Sequence, residues 1–168
     1  MQITLKKNPK YSILKKICFL KNSFWKKGFK SNLEWIKKNV NKNDIHFLIQ
    51  KRDKLIGYNL LKKRNFIINK TVNSYYYLDT IIIIKKYKNK GLGSMLLTLN
   101  KKFSKNTPVV LITKKKNINF YRKNDFSKLN KKNIIIEKKD LRLFTVMIFC
   151  KNKKKINSLK KKKLFFKL

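Results

Sequence analysis

A buried strand that ends at a glycine turn and leads into a helix is the feature that most constrains this sequence. Residues Leu78 to Ile84 form a largely apolar, β-branched run, which is typical of a buried strand. A basic turn, Lys85 to Lys90, follows, and Gly91-Leu92-Gly93 then opens a helix. In such units, amides at the electropositive helix N-terminus point outward and glycine lets a ligand come close. The unit predicts an anion site; the alternative is a turn that uses glycine only for its geometry.

The spacing of the glycines in this turn can be compared with three anion-binding motifs. The dinucleotide motif G-x-G-x-x-G needs glycine where Leu96 stands, and the P-loop motif G-x-x-x-x-G-K-[ST] does not occur. Residues Lys88-Asn89-Lys90-Gly91-Leu92-Gly93 instead resemble [Q/R]-x-x-G-x-[G/A], the pyrophosphate loop of the GNAT superfamily of acetyl-CoA-dependent N-acetyltransferases. Lys88 stands where that family usually has Gln or Arg.

A second segment carries the same resemblance. Asn117 to Phe126 is similar to N-x-x-x-F-Y-x-K-x-G-F, which closes the cofactor site in that superfamily. Phe120-Tyr121 is intact, and Asp125 stands where the family has glycine. Because Asp tolerates the left-handed backbone conformation better than most residues, we expect the turn to be preserved.

The order of predicted elements, β-α-α-β-β-β-α-β-α-β-β, indicates an α+β fold. The resemblance implies a mixed, mostly antiparallel central sheet flanked by helices over residues 1–150. We expect a lysine-rich, partly disordered tail over residues 151–168. Within this pattern we predict a helix from Tyr11 to Leu20, a second helix capped by Ser31, and a last strand from Leu141 to Cys150.

The resemblance also implies an activity and its site. The expected enzyme is an acyltransferase that moves an acetyl group from acetyl-CoA to a primary amine of a small molecule, such as an amino sugar, by direct attack. Tyr121 matches the family's general acid, which protonates the leaving thiolate; the alternative is a packed aromatic side chain. The residues expected to bind acetyl-CoA are Ile82, Ile83, Ile84, Lys88, Asn89, Lys90, Gly91, Leu92, Gly93, Ser94, Asn117 and Tyr121.

Candidates for the acceptor side come from the remaining polar and aromatic residues. Asp79 lies in the apolar strand and is the candidate general base; the alternative is an ion pair with a lysine. His46 alternates with apolar neighbours, and we expect it to be exposed or satisfied by a hydrogen bond rather than catalytic. Trp25, Trp35 and Tyr75 to Tyr77 line either an acceptor pocket or the core.

The charge is extreme, with 46 basic and 7 acidic residues and a net charge of +39. A hydrophobic content of 42% excludes a disordered polycation. A basic surface attracts polyanions, so the alternative function is an RNA-binding protein without catalytic activity, and the tail could contact nucleic acid or an anionic membrane. For an enzyme, the charge favours a neutral or anionic acceptor over a polyamine.

The few potential metal ligands argue against a metal site. Cys18 and Cys150 have no metal-like spacing, and His46 is the single histidine. We expect two reduced thiols in a cytoplasmic protein that is a monomer or a homodimer.

Overall fold

A computed structural model describes residues 1–136 and 143–166 of the protein. Its α-helices are α1 (Tyr11–Trp25), α2 (Phe29–Asn39), α3 (Leu92–Ser104), α4 (Ile118–Lys123) and α5 (Lys153–Lys161). Its strands are β1 (Gln2–Lys7), β2 (Ile45–Lys51), β3 (Lys54–Ile68), β4 (Thr71–Ile83), β5 (Val109–Lys114), β6 (Ser127–Lys128), β7 (Ile134–Ile136), β8 (Phe144–Phe149) and β9 (Leu164–Phe166). None of these helices has the length and apolarity needed to cross a membrane.

The sheet is mixed and mostly antiparallel. The pairs β4–β5 and β7–β9 are parallel, whereas β1–β2, β2–β3, β3–β9, β5–β8 and β6–β8 are antiparallel. The α+β fold predicted from the sequence is therefore confirmed. The chain divides into two compact units, and β3, β4 and α3 each contribute residues to both.

The first unit comprises Met1–Lys62 and Asp79–Leu96. Its strands are paired in the order β1-β2-β3-β4. The helices α1 and α2 carry apolar residues at helical spacing, and these pack on the sheet because one face of each helix must leave water. The resulting core contains Ile17 and Cys18 of α1, Ile36 of α2, and Tyr58 and Ile82 of the sheet.

The second unit comprises Lys63–Leu78 and Leu97–Leu168. Its strands are paired in the order β3-β4-β5-β8-β6, with β9 next to β3 and β7 next to β9. Its core contains Phe66, Tyr75, Val110, Val146 and Phe166. Strand β5 is largely buried here, as expected for a strand with neighbours on both edges.

Two predicted helix boundaries differ from the structure, and one predicted strand boundary lies outside the described residues. The first helix continues past Leu20 to Trp25. The second helix begins at Phe29, so Ser31 lies inside it, and no side chain caps its first turn, where Gly28 has φ = 83°. The last predicted strand began at Leu141, which lies outside the described residues; β8 begins at Phe144.

The lysine-rich tail, which we predicted to be partly disordered, is described over residues 151–166. Residues Lys153–Lys161 form α5 and Leu164–Phe166 form β9, and the side chains of Ile156, Leu159, Leu164 and Phe166 are buried. Ile156 and Leu159 of α5 pack into the core of the second unit. Strand β9 pairs antiparallel with β3, where Phe166 lies opposite Phe66. The tail is therefore part of the second unit's fold.

Replacing Phe166 with Ala should lower the free energy of unfolding by about 3–5 kcal/mol, because it removes a buried ring and leaves a cavity. The Phe166 ring is 2% exposed and lies 5.6 Å from the Phe66 ring and 5.1 Å from the Tyr75 ring. Its neighbour Phe165 is 50% exposed, so Phe165→Ala is the matched control and should cost less than about 1 kcal/mol. Urea denaturation measures both; equal small losses would contradict a packed tail.

Candidate active site

The turn that joins β4 to α3 is open to solvent. Residues Lys88 to Gly91 are exposed. Asn89 and Gly91 have positive φ angles of 60° and 74°, and these reverse the chain into the helix. A Cβ atom placed on Gly91 would meet no heavy atom within 4 Å outside its chain neighbours. The turn is therefore accessible to a ligand of the size of a phosphate group.

The first turn of α3 presents free amides at this opening. Its first hydrogen bond runs from the Met95 N–H to the Gly91 carbonyl oxygen at 2.9 Å. The N–H groups of Leu92, Gly93 and Ser94 therefore precede the first helical hydrogen bond and have no helical acceptor. No acidic residue lies in this turn. The arrangement has the donors and the positive potential that a diphosphate requires.

One edge of β4 loses its β5 partner before the strand ends. Parallel pairing with β5 covers Tyr76 to Leu78. On the other edge, the Ile84 N–H donates to the Ile56 carbonyl oxygen of β3 at 3.0 Å. Because amide directions alternate along a strand, the Ile83 N–H points away from β3. Of the predicted residues Ile82, Ile83 and Ile84, Ile83 thus offers its amide to a ligand.

Gly57 of β3 provides the space that the Ile83 side chain occupies. A Cβ atom on Gly57 would lie 2.8 Å from Ile83 Cδ1 and 3.0 Å from Ile49 Cδ1, which is too close for carbon atoms. A larger residue here would displace Ile83. The glycine therefore helps to position the end of β4.

Tyr121 lies on α4 in the second unit and is largely buried. The residue is 8% exposed, and its ring contacts those of Phe120 and Phe126 at centroid distances of 5.1 and 5.9 Å. Burial raises the pKa of the Tyr121 hydroxyl to about 12. The phenol is therefore protonated throughout the neutral pH range.

The turn after Tyr121 has the geometry expected from the sequence. Asp125 adopts φ = 68°, which confirms that Asp replaces the family's glycine without loss of the left-handed turn. The Tyr121 carbonyl oxygen accepts hydrogen bonds from the Asn124 and Phe126 N–H groups at 3.0 and 3.1 Å. A 2.6 Å contact from Lys101 Nζ to an Asp125 carboxylate oxygen also ties the turn to α3. Asn117, predicted to bind the cofactor, is exposed just before α4.

Asp79 forms an ion pair with Lys62, at 3.4 Å between Lys62 Nζ and an Asp79 carboxylate oxygen. Both side chains are largely shielded from solvent, so the pair is weakly screened. Asp79 also lines a cavity of about 370 Å³ together with Trp25 and Trp35. Asp79 therefore has the lysine partner that the sequence offered as an alternative, and it lies at a cavity.

Some of the remaining aromatic and histidine candidates line the cavity, and others are buried. Trp25 and Trp35 line the cavity, whereas Tyr75 and Tyr77 are buried in the core of the second unit. His46 is buried and its Nδ1 atom lies 3.0 Å from the Tyr58 hydroxyl. Burial lowers the pKa of His46 to about 4, so the ring is neutral and satisfied at neutral pH.

Lys21 lines the same cavity and was not a predicted site residue. It follows Leu20, the residue at which the first helix was predicted to end. The spacing of Ile17, Cys18 and Lys21 places all three on one helix face, and this was the signal that could have found it. Among the described residues, no group of three His, Cys, Asp or Glu side chains could hold a metal ion.

The predicted residues are distributed over both units. The strand end, the turn, the first amides of α3 and Asp79 belong to the first unit, and Asn117 and Tyr121 belong to the second. Residues 12–126 match the family described as the acetyltransferase (GNAT) family. Comparison with curated proteins finds no match.

Solved structures of N-acetyltransferases share this fold. An aminoglycoside 6'-N-acetyltransferase complexed with coenzyme A is 12% identical, with a TM-score of 0.69 over 89% of this chain and 97% of that chain. The Bacillus subtilis N-acetyltransferase YlbP in complex with coenzyme A is 19% identical, with a TM-score of 0.58 over 89% and 97%. The spermidine/spermine N-acetyltransferase SpeG from Vibrio cholerae, in mutant form, is 21% identical, with a TM-score of 0.60 over 94% and 99%.

These findings define an acyltransferase of the N-acetyltransferase class. The match covers more than half of the chain, and the chain therefore belongs to the acetyltransferase (GNAT) family.

Proposed function

We propose that this protein transfers the acetyl group of acetyl-CoA to a primary amine of a small molecule by direct attack. The observation that carries the proposal is the open turn before α3, where the amides of Leu92, Gly93 and Ser94 lack helical acceptors beside exposed lysines. Hydrogen bonds from such amides to a diphosphate are charge-assisted and stronger than neutral ones.

The end of β4 is the proposed position of the pantetheine arm and the thioester. An extended ligand that pairs with a free strand edge gains main-chain hydrogen bonds. The Ile83 N–H is directed to this edge, and it is the candidate donor to the thioester carbonyl oxygen. A fixed amide at that oxygen stabilises the negative charge that develops during attack.

The reaction needs one proton donor and one proton acceptor. The amine lone pair attacks the carbonyl carbon, an oxyanion forms, and the carbon–sulfur bond then breaks to release a thiolate. Tyr121 is the proposed general acid, because its hydroxyl is protonated at neutral pH and can donate a hydrogen bond, and then its proton, to the sulfur as the carbon–sulfur bond breaks; solvent then reprotonates the tyrosinate. Asp79 is the proposed site where the acceptor's ammonium group binds and loses its proton, directly or through water.

The test is binding followed by transfer. Acetyl-CoA at 100 times its dissociation constant should raise the melting temperature by about 5–10 °C. Pantetheine, which lacks the diphosphate, should raise it much less at the same concentration. Incubation with labelled acetyl-CoA and a panel of amines, followed by mass spectrometry, should then identify acetylated products.

A melting experiment with an RNA oligonucleotide distinguishes the alternative function from the proposed one. If the chain were an RNA-binding protein without activity, RNA would raise the melting temperature at low salt and acetyl-CoA would not. Absence of an acetyl-CoA shift would overturn the proposed transferase activity.

A further inference from the structure

The cavity at Asp79 contains a buried lysine that the proposed mechanism does not use. Lys21, on the inner face of α1, is 5% exposed and lines this cavity of about 370 Å³. Its Nζ atom lies 3.6 Å from the centroid of the Trp35 ring and 5.6 Å from that of Trp25. These cation–π contacts hold the ammonium group in place while leaving its hydrogen-bond donors available.

Within the described residues, Lys21 has no carboxylate within ion-pair distance. The cavity's carboxylate, Asp79, is paired with Lys62 at 3.4 Å. Lys27 adds a further cation to the cavity lining. Cations therefore exceed carboxylates at this site, and a buried ammonium group without an anionic partner is unfavourable. The site has the charge of an anion-binding pocket.

The side chains that line the cavity also include the groups needed to bind a small zwitterion. Asp79 can hold an ammonium group, Lys21 can hold an anionic oxygen group, and the two indole rings provide apolar contact area. A linear or branched polycation would bring additional positive charge next to Lys21 and Lys27. Like charges repel strongly in such a shielded site.

We infer that the acceptor is a small amine that also carries a carboxylate or phosphate group, and that Lys21 binds this anionic group. The inference rests on the proposed transferase function and names its substrate class. It sets this chain apart from the spermidine/spermine N-acetyltransferase SpeG, whose named acceptors are both polycations.

The experiment uses the full chain and paired acceptors that differ in the anionic group. The pairs are amino acids with their amides and an amino sugar phosphate with the parent amino sugar; spermidine is the polycation. Wild-type kcat/KM should be about 10- to 100-fold higher for the anionic member of at least one pair, as expected for a charge-assisted contact. Spermidine should be a poor acceptor.

Lys21→Met tests the residue itself, because Met fills similar volume against Trp35 without the charge. The variant should remove most of this preference through a higher KM for the anionic member of each pair. Lys21→Arg should keep part of the preference. Lys15→Met, an exposed position on the same helix, is the matched control and should behave as wild type.

The preference should also weaken with rising pH. Burial lowers the pKa of Lys21 to about 8, so the unliganded ammonium group loses its charge as pH rises through that value. The other titratable groups around it are Cys18, Lys27, Lys62 and Asp79. Because paired acceptors also differ in the pKa of their own amines, the ratio is compared between wild type and Lys21→Met at each pH, and the excess preference of the wild type should fall as pH rises through about 8.

The outcomes are distinguishable from failure of the proposed function. Loss of acetyl-CoA binding in the wild type would refute the transferase proposal. Normal acetyl-CoA binding with spermidine or neutral amines preferred, or with none of the anionic amines acetylated, would overturn the inference alone. An unchanged preference in Lys21→Met would also overturn it.

Discussion

Gly93→Glu should abolish the rise in melting temperature that acetyl-CoA causes. Gly93 lies in the first turn of α3, and its N–H precedes the first helical hydrogen bond. A glutamate side chain there adds negative charge and volume where the diphosphate is expected. The helix should still form, because a carboxylate near a helix N-terminus is favourable by about 0.3–1 kcal/mol. The loss of binding is therefore expected in a folded protein.

The matched control for this variant is Thr98→Glu, which adds the same charge to an exposed position farther along the same helix. It should retain the acetyl-CoA shift. Circular dichroism and the melting temperature without ligand verify that both variants are folded. A normal acetyl-CoA shift in Gly93→Glu would show that this turn does not bind the cofactor.

Tyr121→Phe should reduce kcat by about 10²-fold, which is the scale of a lost general acid. The ring contacts with Phe120 and Phe126 are retained in the variant, so the fold and the affinity for acetyl-CoA should change little. Pre-steady-state and steady-state assays measure the chemical step, with an acceptor that the amine panel identifies. Tyr11→Phe removes an exposed hydroxyl elsewhere and is the control.

The pH profile provides a second readout for Tyr121. Because its pKa is raised to about 12, the donor form persists over the neutral and mildly alkaline range. The wild-type rate should therefore rise with pH as the acceptor amine loses its proton, without a fall due to Tyr121 ionisation below about pH 10. An unchanged kcat in Tyr121→Phe would exclude the residue from the mechanism. A loss of affinity for acetyl-CoA as large as the loss in kcat would assign the residue to binding instead.

Local patterns were sufficient to predict the strand–turn–helix unit. The run from Leu78 to Ile84, the two glycines and the apolar spacing of α3 are adjacent in sequence, so one window contains the whole signal. The same holds for Asp125, whose left-handed backbone follows from residue type and from the position of the turn. Family resemblance was needed to give Tyr121 a role, because its burial alone is equally typical of a core residue.

The tail and the acceptor cavity could not be predicted because they depend on distant partners. Phe166 is buried by Phe66 and Tyr75, which are about a hundred residues away in sequence. In the sequence, lysines mask the apolar spacing of Ile156 and Leu159. The sequence does not distinguish Lys21 from the many surface lysines, because its contact with the indole of Trp35 is seen only in the folded structure.

Two ion pairs among the described residues, Lys62–Asp79 and Lys101–Asp125, have a consequence for how this chain tolerates mutation. Carboxylates are scarce here, at 7 against 46 basic residues, so neighbouring acids cannot substitute for a lost one. Surplus exposed lysines, in contrast, can be exchanged for one another with little effect. A substitution that removes Asp79 or Asp125 should therefore have a larger effect than one that exchanges an exposed lysine.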